Sequence, residues 1–255
     1  MARPCWRINE EKQQLIAKIM KKILLLIGIV SLGFMTLQAQ DLTLDEVMSK
    51  YYKASEMEKL QQVNTIIMTG LRVQQDLMPL KIIRKRPNLY LMEFDVADLT
   101  AYQAYDGEVA WSTAPWTGDA SPKPMSESGT RGMMYQSDFD GMLYKWKEKG
   151  HQLELQGIDT VDTELAYKIK LIRADSAIHY YFIGKGDFLL KKQTTFRVIR
   201  GEEISIENIY TDYRPVEGIP FAFNIETRYP GRSVSMEFDT IKLNEPVEDD
   251  LFTLP

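Results

Sequence analysis

One cysteine and two histidines are all that this 255-residue sequence offers to thiol and imidazole chemistry. Cys5 stands ahead of an apolar run near the N-terminus, so no disulfide framework is available to the rest of the chain. His151 and His179 each sit alone in a strand-like pattern, without the neighbouring ligands that a zinc or iron site requires at readable spacing. Both read as ordinary sheet residues. The sequence also lacks the G-x-S-x-G elbow and both glycine-rich phosphate loops, G-x-x-x-x-G-K-[ST] and G-x-G-x-x-G. The acidic pairs Glu202-Glu203 and Asp249-Asp250 are adjacent in sequence, and neighbours on a strand point to opposite faces, so they read as solvated charge. These absences argue against an enzyme, a metal centre and a bound cofactor.

Only one segment carries a long apolar run. Lys21 and Lys22 precede Ile23 to Phe34, and Thr36-Leu37-Gln38-Ala39-Gln40 follows, the charged, apolar and cleavage-site order of a secretory signal. As a helix the twelve-residue run covers about 18 Å, short of the roughly 30 Å of a hydrocarbon core, which disfavours a transmembrane anchor. Residues 1–39 therefore read as an extension plus signal peptide, with Met20 as an alternative start and cleavage near Ala39 or Gln40. No cysteine follows the run to take a lipid, so the product, residues 40–255, is expected free in the periplasm.

Positive charge is scarce once that segment is gone. Residues 1–39 hold six basic residues (Arg3, Arg7, Lys12, Lys18, Lys21, Lys22) and two acidic ones (Glu10, Glu11), so cleavage takes the formal charge from −5 to −9. Such a chain repels phosphates, which excludes nucleic acid as a partner.

What is abundant is alternation. After one amphipathic helix, with Thr43 and Glu46 placed as a capping box and the helix extending towards Leu60, the apolar period changes to two. Strand patterns cover 63–69, 80–86, 88–95, 100–105 and 108–112, with Asp106-Gly107 as a tight-turn signal. They resume at 151–158, 165–173, 178–183, 188–198, 203–212, 221–229 and 234–243. About a dozen strands without a βαβ rhythm predict one curved antiparallel sheet with a few helices, in a single domain. The stretch 113–136, with Pro115, Pro122, Pro124 and three glycines, is expected to leave the sheet as an apolar lid or mouth loop that carries Met133. A helix is expected after it, beginning near Asp138 and presenting Phe139, Met142, Leu143 and Trp146 on one face.

The alternation defines one apolar face. Phe221, Phe223 and Ile225 alternate with polar residues, as do Val234, Met236 and Phe238, and Ile178, Tyr180 and Phe182. Pattern alone is compatible with a filled core. Thirteen methionines tilt the reading towards a surface that repacks around variable apolar ligands.

Lys85-Arg86-Pro87-Asn88-Leu89-Tyr90 resembles the K-R-P-N-L-[FY] signature of the LolA family of periplasmic lipoprotein carriers (LolA/LolB-like). Asp106-Gly107 followed by Trp111 is similar to that family's next segment, and Phe252 to Pro255 resembles its ending. The resemblance implies an unclosed β-barrel with a helical lid, acting as a monomer that carries lipoprotein or lipid acyl chains towards a membrane or lipoprotein acceptor. The alternative is an envelope-sensing or protein-binding module on the same fold. The family's lid-latching arginine maps onto Arg86, against the plainer reading of a surface charge before a proline. On this view Tyr90, Met92 and Trp111 join Met133, Phe139, Leu143, Trp146, Tyr180, Phe182, Phe221, Phe223, Met236 and Phe238 as candidates to line the lipid cavity.

Overall fold

The computed structural model of the protein describes residues 42–255, apart from 97 and 200, together with Lys18. The expected signal segment and cleavage site lie outside the described residues. The capping box is formed: Thr43 Oγ1 accepts from the Glu46 backbone N–H, and Glu46 accepts from the Thr43 N–H at 2.8 Å. It starts α1 (Leu44–Ala54). The expected continuation to Leu60 is broken at Glu56, which takes a left-handed conformation, and a separate turn α2 (Met57–Leu60) follows.

Thirteen strands then form one sheet. They are β1 (Thr65–Val73), β2 (Leu77–Lys85), β3 (Leu89–Val96), β4 (Leu99–Tyr105), β5 (Ala110–Ala114), β6 (Asp119–Pro124), β7 (Gln152–Val161), β8 (Glu164–Ile172), β9 (Ile178–Gly184), β10 (Leu190–Ile199), β11 (Glu202–Val216), β12 (Ile219–Tyr229) and β13 (Arg232–Leu243). Their order is β6-β5-β4-β3-β2-β1-β13-β12-β11-β10-β9-β8-β7. Every neighbouring pair is antiparallel, so the fold is mainly β, a single unclosed antiparallel sheet with few helices. The two edges, β6 and β7, are consecutive in the chain. The segment between them contains α3 (Glu127–Gln136) and the turns of 137–151. Residues Leu42–Pro255 form one compact unit, and among the described residues no helix is long and apolar enough to cross a membrane.

Two expectations about 113–150 are corrected. The proline-rich stretch stays in the sheet as far as Pro124 and leaves it only from 125 to 136: β6 pairs with β5, and it holds Pro122 and Pro124 because an edge strand has one side free of ladder bonds. The helix lies at Glu127–Gln136, started by Ser126 Oγ accepting from the Gly129 N–H, and not after Asp138. Positive φ at Gly141, Lys145 and Gly150 turns the 138–150 path repeatedly, which no helix permits. The apolar residues picked there are nevertheless interior: Phe139, Met142 and Leu143 are buried and Trp146 partly so.

The inner face of the sheet carries two adjoining apolar clusters. The larger is built from β1–β5, β12 and β13 with Met133 of α3 and Phe139. The other sets Val47 and Met48 of α1 with Met142 and Leu143 on β7–β9. Burial of Val47 and Met48 contributes roughly 1.5–3 kcal/mol each. On the outer face, the C-terminal turn Asp249–Phe252 seats Phe252 against Ile83, Leu91, Ala104 and Trp111.

Where β1 crosses to β13, the register shifts between Thr69 and Gly70. A Cβ on Gly70 would lie 2.0 Å from the Glu237 carbonyl oxygen, so this bulge admits no side chain. Gly70→Ala is expected to destabilise the protein by about 1–3 kcal/mol, read as a lower urea midpoint; an unchanged midpoint refutes the close approach.

Candidate functional site

The site is the inner face and the chain segments laid across it. β2 and β3 supply its polar side through strand parity. Ile82, Arg84 and Arg86 follow one another at intervals of two, and Arg84 stands opposite Ile66 on β1 and Tyr90 on β3. Lys85 takes the other face, where it pairs with Asp249 at 2.6 Å and donates to the Val247 carbonyl.

Arg86 gathers three separate pieces of chain. Its Nε donates to the Val63 carbonyl at 2.7 Å and its Nη2 to the Leu60 carbonyl, the end of α2, at 3.0 Å. Both Nη atoms grip Asp140, at 3.0 and 2.6 Å, and the guanidinium lies 4.3 Å from the centre of the Phe139 ring. The planar fork makes this possible, since its donors diverge in fixed directions. Arg84, beside it, donates from Nη2 to the Asp138 carbonyl at 2.6 Å. Lys149 closes the same loop on Asp138 at 2.7 Å and on the Gly141 carbonyl at 2.9 Å. On the other side, Tyr52 of α1 donates to the Leu143 carbonyl at 2.6 Å. The 137–151 segment is thus fastened to both the sheet and α1.

Ten of the thirteen expected lining residues join the two inner clusters. Tyr90, Met133, Phe139, Phe223 and Phe238 are buried in the larger one, with Met92, Phe221 and Met236 packed against it but only partly buried. Leu143 and Trp146 belong to the smaller. Three do not join. Trp111 packs on the outer face and donates from Nε1 to the Phe252 carbonyl at 2.7 Å. Tyr180 and Phe182 also face out, against Val161, Ala166 and Ile209 and beneath the Lys168 and Lys192 ammonium groups. Both faces of β9 are covered, so its apolar pattern did not identify the inner one. A one-residue offset then exchanges all side chains between faces. The inner row of β9 is His179, Tyr181 and Ile183.

That row carries a polar cluster that composition did not reveal. Gln193 donates from Nε2 to the Tyr181 hydroxyl at 2.9 Å and accepts from the Tyr210 hydroxyl at 3.2 Å. Tyr90 accepts from Gln136 Nε2 at 3.2 Å. Burial raises Tyr90, Tyr181 and Tyr210 above the ordinary phenol range, so all three stay protonated. His179 stacks on Tyr181, and burial, helped by Arg173, lowers its pKa to about 4.

No family model matches the chain, and no curated protein matches it. Two expectations follow from the geometry itself. Arg86→Leu leaves the Val63 carbonyl and Asp140 without their partner, and the Leu60 carbonyl with the Val63 N–H, at about 2 kcal/mol. Amide exchange is expected to rise in 57–63 and 137–141. Lys85→Leu is expected to raise it only near the C-terminal turn, and equal patterns would refute the assignment of faces. The buried His179 is neutral in the fold, so its contribution is complete above about 6.5, its unfolded value, and is lost as pH falls towards 4. Urea unfolding at pH 7 and pH 4.5 should differ by roughly 2–3 kcal/mol more in the native sequence than in His179→Gln. Equal differences would refute it.

Among solved structures, a LolA superfamily protein from Nitrosomonas europaea overlays with a TM-score of 0.56 at 16% identity, over 83% of this chain and 98% of that one. A DUF1329 family protein from Desulfovibrio piger gives 0.58 at 13% identity, over 81% and 97%. At these identities the likeness is one of architecture, and the fold of this chain is LolA-like.

Proposed function

We propose that the inner face holds the acyl chains of a lipoprotein or membrane lipid, and that the protein carries them through the periplasm towards the outer membrane without catalysing a reaction. The carrying observation is uneven coverage. Met92, Phe221, Ile225 and Met236 pack against the largest apolar cluster, yet all four remain partly accessible on a face where a filled core would enclose them. Each methylene taken up there contributes about 0.8 kcal/mol, so a single acyl chain binds firmly without a charged contact. The LolA-like fold supports the reading.

In this reading Arg86 is the latch. It joins the end of α2 and the 137–141 turn to the sheet through partly buried charge-assisted bonds. Such a tie is worth a few kcal/mol, comparable with the gain from a few methylenes, so cargo and closure compete on equal terms. Residues 1–39 serve export, and the mature chain begins at Gln40 or Asp41.

Native mass spectrometry of the protein purified from cells tests both points, since one spectrum reads the N-terminus and any lipid that rides with it. Bound lipid mass is expected, and Phe221→Asp or Met236→Asp is expected to remove it while the protein stays folded. A lipid-free native protein, or variants that keep their lipid, would overturn the carrier reading and leave a sensing or protein-binding module.

A further inference from the structure

Arg84 occupies a position that the alternation assigns to an apolar residue. It shares the inward row with Ile82 and stands between Ile66 and Tyr90, all three buried in the larger cluster. Placing a cation there is unfavourable unless its hydrogen-bonding capacity is met. Among the described residues it is met only in part: of the five N–H groups of the guanidinium, one has a partner, Nη2 on the Asp138 carbonyl. Nε is enclosed with none, and the side chain as a whole keeps part of its surface accessible.

Among the described residues no carboxylate pairs with it either. Asp138 and Asp140 are the acidic groups whose charges act on Arg84, and both are committed elsewhere, Asp138 to Lys149 at 2.7 Å and Asp140 to Arg86 at 2.6 Å. The adjacent Tyr90 adds a further donor. Its oxygen accepts from Gln136, and among the described residues its own proton has no acceptor. Among the described residues this corner of the inner face therefore offers one uncompensated positive charge and N–H and O–H donors without an acceptor.

We infer that Arg84 and Tyr90 receive the carboxylate head of a long-chain acyl acid, whose tail lies along Met92, Ile225 and Met236. The inference rests on the acyl-binding reading given above and adds a free acid to the ligands that the same apolar face takes. The charge count selects a monoanion, and among monoanionic lipid heads a carboxylate has no second ester arm to enclose beside Ile66 and Ile82. Arg86 and Lys149 each have their own counter-ion, which leaves one net positive charge, and a carboxylate is a monoanion. A phosphate monoester carries close to two charges near neutral pH and would be left half unpaired.

The experiment is displacement of a neutral apolar dye, N-phenyl-1-naphthylamine, from delipidated protein by sodium palmitate, 1-hexadecanol or palmitoyl lysophosphatidic acid, each below its aggregation limit. Palmitate is expected to displace the dye at a concentration at least about tenfold lower than hexadecanol, the factor that one charge-assisted contact contributes. Arg84→Met is expected to close that gap. Arg84→Gln, which keeps a donor for the Asp138 carbonyl and removes the charge, should do the same and serves if Arg84→Met does not fold. Equal displacement by palmitate and hexadecanol, or a gap that survives in both variants, would overturn the inference and leave the apolar site standing. Lysophosphatidic acid acting below palmitate would overturn the choice of carboxylate. Failure of the dye and hexadecanol to bind at all would overturn the acyl-binding reading, and this inference with it.

Discussion

Pairing of β1 with β13 brings together residues as far apart in sequence as Thr69 and Thr240, 171 positions, whose hydroxyls meet at 2.6 Å. Without that ladder the chain would be two meanders, β1 to β6 and β7 to β13, each with an apolar face and no neighbour. With it they form one sheet whose free edges are the consecutive strands β6 and β7. The segment that connects those edges has to travel from one to the other, and the inner face is where its apolar residues find cover. Phe139 enters the larger cluster and Leu143 the smaller. The covering of the sheet is therefore a consequence of its topology. Gly70, where a side chain would strike the Glu237 carbonyl, is the position at which the central ladder is least tolerant.

The free edges are managed by composition. β6 carries Pro122 and Pro124 with the charged Asp119 and Lys123, and β7 alternates Gln152 and Glu154 on one side before a bulge at 155–158. Prolines, charge and a bulge each discourage another strand from pairing. That allows the sheet to keep two free edges without becoming a template for aggregation.

Most of the strands were legible because each has a turn signal at its ends and one clean period. Asp106 accepts from the Glu108 and Val109 N–H groups and Gly107 has φ of 102°, as the Asp-Gly pair suggested. Glu217 and Gly218 similarly turn β11 into β12 with positive φ at both residues. The failures have different causes. β6 was hidden because proline counts against a strand unless the strand is known to be an edge, which is a property of the whole sheet. α3 was hidden by Gly129 and Gly132, whose low helix propensity is outweighed by the cap at Ser126 and the burial of Met133. At β9 the period was right and the face wrong, since apolar partners lie on both sides. The candidate site was legible in its apolar members from β12 and β13, whose outer faces are polar. Arg84 gave no signal at all: in sequence it is one more cation beside Lys85 and Arg86, and only the register against Ile66 and Tyr90 turns it inward.

Arg84 and Arg86 are two residues apart on the same face and flank the same aromatic ring, at 5.5 and 4.3 Å from the centre of Phe139. Their environments diverge because the covering segment supplies one carboxylate where two would be needed. Asp140 reaches Arg86, and Asp138 is turned towards Lys149. The strength of the Arg86 tie depends on how dry its surroundings are, because the same pair weakens several-fold as water enters. The buried Phe139 ring covers one side of the Arg86 guanidinium. An apolar chain that displaced Phe139 while arriving at Met92 and Met236 would therefore act on the tie twice, by competing for the face that Phe139 covers and by admitting solvent to the Asp140–Arg86 pair. Coupling between such a chain and the cover would then need no separate signalling element, because one buried ring is shared by the apolar face and by both arginines.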